Sequence, residues 1–146
     1  MNAKQLKYGH VRGGSVSVPC ATAASTFVAA SGRFVYLNAG VATLADDGAN
    51  EIFGFADVAA GLQVAGTINN IIIDPSAIFR IPVVNGTYVA AMRGKTCDLE
   101  IVSGIQGASL VAADDDVLIV VDGDEVDNLW VDVMLNPKEI SQSGVV

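Results

Sequence analysis

Residues 78–92 read IFRIPVVNGTYVAAM, and this stretch gives the clearest indication of the fold. Two apolar runs, 78–84 and 87–92, flank the dipeptide Asn85-Gly86. Asn-Gly favours the positive φ angles of a tight type I′ turn, so the stretch predicts a β-hairpin. Pro82 cannot donate a hydrogen bond to a neighbouring strand, which predicts that its strand is an edge strand or is bulged there.

A second hairpin is predicted between residues 117 and 135. The apolar run Val117–Val121 enters an acidic turn, and the run Leu129–Leu135 leaves it. The first run is apolar on both faces, which is typical of a central strand. Successive side chains of a strand point to opposite faces, so Trp130 and Asp132 are expected together on the face opposite the Leu and Val side chains of the second run.

The rest of the chain also favours β-structure. Val and Ile together number 32 against nine Leu, and β-branched side chains fit a pleated sheet better than a helix. Further strands are expected at residues 15–21, 33–38, 51–58, 68–73 and 97–102. The sequence therefore predicts an all-β fold, a small single-domain β-barrel or sandwich with extended amino- and carboxyl-terminal arms. We divide it into an arm at 1–14 that contributes no core strand, a barrel-like domain at 15–135 and a tail at 136–146.

Charge is distributed unevenly along the chain. Residues 1–40 carry four basic and no acidic residues, whereas residues 41–146 carry the other four basic and all 16 acidic ones, for a net charge of −8. A basic arm can lie on the acidic body of a neighbouring copy or on another acidic surface. Only 16% of residues are charged and 51% are hydrophobic, which favours burial of part of the surface in an assembly. The pattern predicts a building block rather than an enzyme.

Several other classes of protein are disfavoured. His10, the single histidine, has no catalytic partner at a recognisable spacing and is expected to be solvated or at an interface. The acidic clusters 114–116 and 122–127 lack the full order of a calcium loop, and we interpret them as solvated turns whose Asp side chains bond their own backbone. Cys20 and Cys97 are expected to be free thiols. No cofactor, metal, catalytic residue or nucleic-acid partner is expected, and no apolar run is long enough to span a membrane.

The candidate binding residues follow from the charge pattern and from the aromatic side chains. Lys4, Lys7 and Arg12 would pair with acidic groups of a partner, and Tyr8 would add an apolar anchor. Trp130 is either a core residue or an outward anchor between subunits, and its position beside Asp132 favours the interface.

Short phrases spread over most of the chain resemble the small head decoration, or cement, proteins of tailed bacteriophages. These phrases are GRFVYLNAG at 32–40, ADD at 45–47, IFGFAD at 52–57, FRIPV at 79–83, CDL at 97–99, DVLIVV at 116–121 and a closing Val-x-Val strand. The resemblance implies a β-barrel or β-tulip domain, commonly a homotrimer, bound to the major capsid protein on the outer surface of the virion. It implies no catalytic residue.

The resemblance and the charge pattern lead to one expected function. A protein that binds only the expanded, assembled lattice of a phage capsid stabilises the expanded state by mass action, and repeated contacts add avidity. The arm at 1–14 would be the tether. Two alternatives remain at this point: a β-module of a phage tail, baseplate or fibre, and a stand-alone ligand-binding β-barrel.

Overall fold

The computed structural model describes residues 8–46, 51–111 and 115–137, and strands form most of this part of the chain. In chain order they are β1 (Gly9–Arg12), β2 (Ser17–Ala21), β3 (Ser25–Phe27), β4 (Phe34–Asn38), β5 (Val41–Leu44), β6 (Gly54–Ala56), β7 (Gly61–Gln63), β8 (Ile68–Ile72), β9 (Ile78–Asn85), β10 (Thr96–Val102), β11 (Ile105–Ser109), β12 (Leu118–Gly123) and β13 (Trp130–Leu135). Among the residues that the structure describes, a 3₁₀ turn spans Ala90–Met92. The all-β prediction is confirmed. None of the described helices is long and apolar enough to cross a membrane.

Five strands close into a small barrel in the order β9, β11, β10, β12 and β13, because β13 also pairs with β9. All of these pairs are antiparallel except β11 with β9, which is parallel. Strand β1 pairs with the first half of β9, on the side opposite β13. Side chains from alternate positions fill the interior, among them Phe79, Leu118, Val131 and Val133, all fully buried.

A second sheet lies against the barrel, with strand order β2-β8-β6-β4-β5. It almost closes on itself, because Thr22 bridges to Ala42 and the amide of Ala23 donates to the Ala42 carbonyl at 2.9 Å. Strands β3 and β7 form a separate two-stranded ribbon. The second sheet has its own small core of Phe27, Val35, Ala42, Ala56 and Ile71.

Three phenylalanines join the two sheets. Phe34 of β4 and Phe55 of β6 pack on Phe79 of β9, with ring centroids 5.3 and 4.5 Å away. A buried amide reinforces this contact: the Gln106 Oε1 accepts from the Phe34 amide at 2.8 Å, and its Nε2 donates to the carbonyls of Phe34 and Ala45 at 3.0 and 2.8 Å. Gln106 therefore satisfies backbone groups of the second sheet from inside the barrel wall.

The second predicted hairpin is confirmed, and the first is wrong. Strand β12 pairs with both β10 and β13, as expected of a central strand. Residues 87–92 form no strand that pairs with β9, and the next strand, β10, begins at Thr96. Instead the Asn128 side chain accepts from the Tyr88 amide and donates to the Gly86 carbonyl, both at 2.8 Å. Strand β9 already has β13 on one side and β1 and β11 on the other, so a returning strand has no open edge to pair with.

Two further expectations need correction. The strand that contains Pro82 is not an edge strand, but the bulge alternative agrees with the structure, because the β9–β11 register shifts between Val83 and Asn85, directly after Pro82. Pro82 lies between the part of β9 that pairs with β1 and the part that pairs with β11. Its missing amide hydrogen therefore falls where β9 changes partners. The expectation that residues 1–14 hold no core strand is also wrong, because Gly9–Arg12 form β1 in register with Ile78–Arg80. Strands β3, β5, β7 and β11 were not predicted, and the stretch 51–58 contains only the short strand Gly54–Ala56.

Candidate interaction surface

The sequence-predicted binding residues that the structure describes lie on the outer face of the barrel, where β1, β9 and β13 run side by side. In register, Arg80 of β9 lies opposite both Gly9 of β1 and Asp132 of β13, and Trp130 lies opposite Pro82. Trp130 and Asp132 alternate with core-facing valines, as the sequence predicts.

The Asp132 carboxylate is the centre of this face. The Arg80 Nε donates to Oδ1 at 2.8 Å, and Arg80 Nη2 and Arg12 Nη1 donate to Oδ2 at 3.0 and 3.1 Å. The side chains of Asp132, Arg80 and Arg12 are 1%, 19% and 49% exposed. Arg80 binds the carboxylate in a bidentate manner, and such charge-assisted hydrogen bonds fix the orientation of the two side chains as well as stabilising the pair. The bond to Asp132 raises the pKa of Arg80, although burial alone would lower it.

Trp130 holds the other side of Arg80. The guanidinium carbon lies 3.9 Å from the centroid of the Trp130 ring, a cation–π contact. Trp130 is half-buried on the outer face, so it is not part of the barrel core. The Asp132 carboxylate and the Trp130 ring together restrict the conformations that the Arg80 side chain can adopt.

Tyr8 and Arg12 bring the amino-terminal segment to the same face. Tyr8 is half-buried; desolvation raises its pKa, and the positive charge of nearby Arg80 opposes that shift. Arg12 is the last residue of β1, and its side chain forms an ion pair with Asp132. We name the set Tyr8, Arg12, Arg80, Trp130 and Asp132 the arginine–tryptophan surface.

Lys4 and Lys7, the other two predicted binding residues, lie outside the described residues. The sequence analysis missed Arg80 and Asp132 as members of the surface. The signal for Asp132 was its place beside Trp130 on the outer face of β13. The signal for Arg80 was a charged residue between two buried positions of β9, Phe79 and Ile81.

The edge of the arginine–tryptophan surface carries another ion pair. Arg93 Nη2 donates to Asp122 Oδ1 at 3.0 Å, and both side chains are exposed. A hydrogen bond from the Gly123 amide lowers the pKa of Asp122, and the charges of Arg93 and Arg12 act in the same direction. This carboxylate therefore stays ionised at neutral pH next to the guanidinium groups.

Aspartate side chains accept hydrogen bonds from backbone amides in both acidic turns. One carboxylate oxygen of Asp98 accepts from the amides of Asp115 and Asp116 at 3.1 and 2.9 Å. Asp124 accepts from the backbone amides of residues 126, 127 and 129, each at 3.1 Å. Within residues 8–46, 51–111 and 115–137, no group of three or more His, Cys, Asp or Glu is placed to hold a metal ion. The bonds of Asp124 agree with the interpretation that the Asp side chains of 122–127 bond their own backbone. At 115–116 the acceptor is instead Asp98 of β10, and Asp114 lies outside the described residues.

His10 and the two cysteines complete the residues considered from sequence. His10 lies in β1 with its ring packed against Phe79, 5.7 Å between centroids, so it is not solvated in a flexible arm. Cys20 and Cys97 are both free thiols, as expected. Burial raises the pKa of the Cys97 thiol to about 12, which keeps it protonated and unreactive.

Comparison with known proteins finds no matching family model, no similar curated protein and no similar solved structure.

Proposed function

We propose that this chain is a structural virion protein that binds the outer surface of an icosahedral phage capsid and stabilises the junctions between capsomers. The observation that carries the proposal is the arginine–tryptophan surface, which gathers three of the five residues chosen as binding residues from sequence alone. The resemblance of several sequence phrases to phage decoration proteins supports the same function.

The chemistry of this surface suits attachment rather than catalysis. Its aromatic and arginine side chains are those most often found at the energetic centre of protein interfaces. Asp132 and Trp130 already orient the Arg80 side chain, so Arg80 loses little conformational freedom when a partner binds. The part of Arg12 that remains exposed, together with the positive charges of Lys4 and Lys7, would pair with acidic groups of the major capsid protein.

Co-sedimentation with expanded empty heads tests the proposal. We expect the chain to pellet with expanded heads, and both Trp130→Ala and Arg12→Glu to reduce binding at least about tenfold, since central aromatic and arginine contacts carry most interface energy. Val126→Ala is the matched control, because Val126 is an exposed apolar residue that is not a member of this surface. Raising salt from roughly 50 to 500 mM should weaken binding only in part, since the Debye length falls to about 4 Å while apolar contacts persist.

Two outcomes would contradict the proposal. One is a wild-type chain that stays in the supernatant with expanded heads. The other is equal binding by wild type, Trp130→Ala and Arg12→Glu. Pelleting with purified tails instead of heads would favour the tail or baseplate alternative.

A further inference from the structure

A second surface of the molecule is defined by the absence of charge. Residues 15–32 and 58–73 contain no Asp, Glu, Lys, Arg or His, although charged residues flank both segments. The fold brings the two segments together: β2 pairs with β8, and β3 pairs with β7. Between these pairs, Thr22 and Thr67 continue the ladder with a backbone hydrogen bond of 2.9 Å. We name these two segments the uncharged ribbon.

The uncharged ribbon is also where apolar side chains are left in solvent. Ten large hydrophobic residues are exposed in the described part of the chain, and half of them lie in these two segments, which make up 34 of the 123 described residues. They are Val16, Val28, Leu62, Val64 and Ile68. Leu62 is 74% exposed. Four of the five lie in or beside the β3–β7 pair and the start of β8, whereas Val16 lies at the far end of the β2–β8 pair. A group of exposed apolar side chains marks an interaction surface, whereas single scattered ones do not.

The backbone of the ribbon is incomplete in the same place. Strands β3 and β7 pair only with each other among the described strands, so each has one open edge. Two-stranded units are marginal alone, and open edges are the usual template for pairing with another chain. A partner that covers this region would bury the exposed apolar side chains and would also form hydrogen bonds with the unpaired backbone groups of β3 and β7.

We propose that the uncharged ribbon is the surface through which copies of this chain associate with one another. The charge of the chain selects this occupant. With a net charge of −8, two copies repel each other wherever their acidic surfaces meet, and the ribbon is the part that can approach its own copy without opposing like charges. A basic partner would be drawn to the acidic remainder of the body instead. A lipid surface would require the Trp, Tyr, Lys or Arg anchors that neither segment contains.

The proposal concerns a face different from the arginine–tryptophan surface. Arg12, Arg80 and Trp130 lie on β1, β9 and β13, whereas the ribbon is made of β2, β3, β7 and β8. One molecule can therefore contact another copy through the ribbon while the barrel face remains open to a different partner. This inference goes beyond the proposed capsid binding and does not depend on it.

Sedimentation velocity of the purified full chain tests this inference without any phage particle. We expect wild type to sediment as a multiple of the 15.0 kDa chain mass at tens of micromolar. Leu62→Lys and Leu62→Asp should each shift the protein to the monomer mass, with at least about tenfold weaker association, because either charge would be buried unpaired in a contact between uncharged surfaces. Val126→Lys and Val126→Asp are the matched controls, since Val126 is 89% exposed and lies outside the ribbon. Both controls should keep the wild-type mass.

Circular dichroism and melting temperature verify that every variant is folded, which is expected because both substituted side chains are largely in solvent. A monomeric wild type at these concentrations would overturn the proposal, as would Leu62 variants that associate as tightly as the Val126 controls. Stronger association of Leu62→Lys with weaker association of Leu62→Asp would also overturn it, because that pattern identifies an acidic partner surface. An oligomeric chain that fails to bind heads would leave this inference standing and contradict only the proposed function.

Discussion

Replacing Asp132 by alanine should be among the most damaging single changes on the outside of the barrel. Asp132 accepts three charge-assisted hydrogen bonds, two from Arg80 and one from Arg12. Removing one partner of a buried ion pair destabilises by about 3–5 kcal/mol because the other charge is left uncompensated. Arg80 keeps some solvent access and its contact with Trp130, so the lower end, about 3 kcal/mol, applies here.

The exposed member of the network, Arg12, should contribute less to the free energy of unfolding than Asp132. Arg12→Ala removes a half-exposed ion pair and should destabilise by no more than about 1 kcal/mol. At about 3 °C per kcal/mol for a chain of this size, Asp132→Ala should lower the melting temperature by about 9 °C and Arg12→Ala by about 3 °C. Urea titration, with the m-value held as a check on two-state behaviour, measures the free energies directly.

Two further variants make the test specific. Glu125→Ala, at an exposed turn position, should change stability by no more than about 0.5 kcal/mol. The double variant Arg80→Met/Asp132→Leu should recover most of the lost stability, because apolar replacement of a whole buried pair is often neutral. It should nevertheless lose head binding. A loss below about 1 kcal/mol for Asp132→Ala would refute the view that this carboxylate organises the surface.

Other parts of the fold give independent predictions. Gly123→Ala should destabilise by about 1–3 kcal/mol in urea titration, because the new Cβ would lie 2.5 Å from ring atoms of the buried Tyr88; an unchanged midpoint would show that the ring has room to move. Gln106→Leu should lower stability by about 3 kcal/mol, since it leaves three buried backbone groups without their partner, and a smaller loss than that of Gly123→Ala would argue against this role. Hydrogen bonds from the hydroxyl and amide of Ser76 lower the pKa of Asp74 in the folded state. The stability that ionised Asp74 contributes is therefore present above the unfolded pKa of about 3.9 and is lost as the pH falls through the lower folded pKa. The melting temperature should therefore fall below about pH 4, and Asp74→Asn should show a shallower fall than wild type; identical slopes would contradict the assignment.

Alternating and continuous apolar patterns located the long strands. Strands β12 and β13 were predicted because β12 is apolar on both faces and β13 alternates, which is the pattern that burial in a barrel wall demands. Strands β3, β5 and β7 were missed because three or four residues rich in small side chains carry too short a period to recognise. Asn85-Gly86 misled because its local turn preference was outweighed by tertiary partners, the three strands that already flank β9 and the side chain of Asn128.

The candidate surface was predictable in part for a different reason. Charge and aromatic character single out Tyr8, Arg12 and Trp130 without any knowledge of the fold. Their meeting with Arg80 and Asp132 depends on strand pairing between residues far apart in sequence, 120 positions for Arg12 and Asp132. No local pattern encodes such a register, so the ion-pair network that orients the surface emerges only from the folded chain.

Cryo-electron microscopy of expanded heads mixed with the wild-type chain tests the central claim most directly. The account predicts density for the barrel on the outer shell at the junctions between capsomers, with Arg80 and Trp130 facing the capsid. Heads prepared with Trp130→Ala should show that density at greatly reduced occupancy. Bare junctions at saturating wild-type protein, or a barrel attached through a face that leaves Arg80 and Trp130 in solvent, would contradict it.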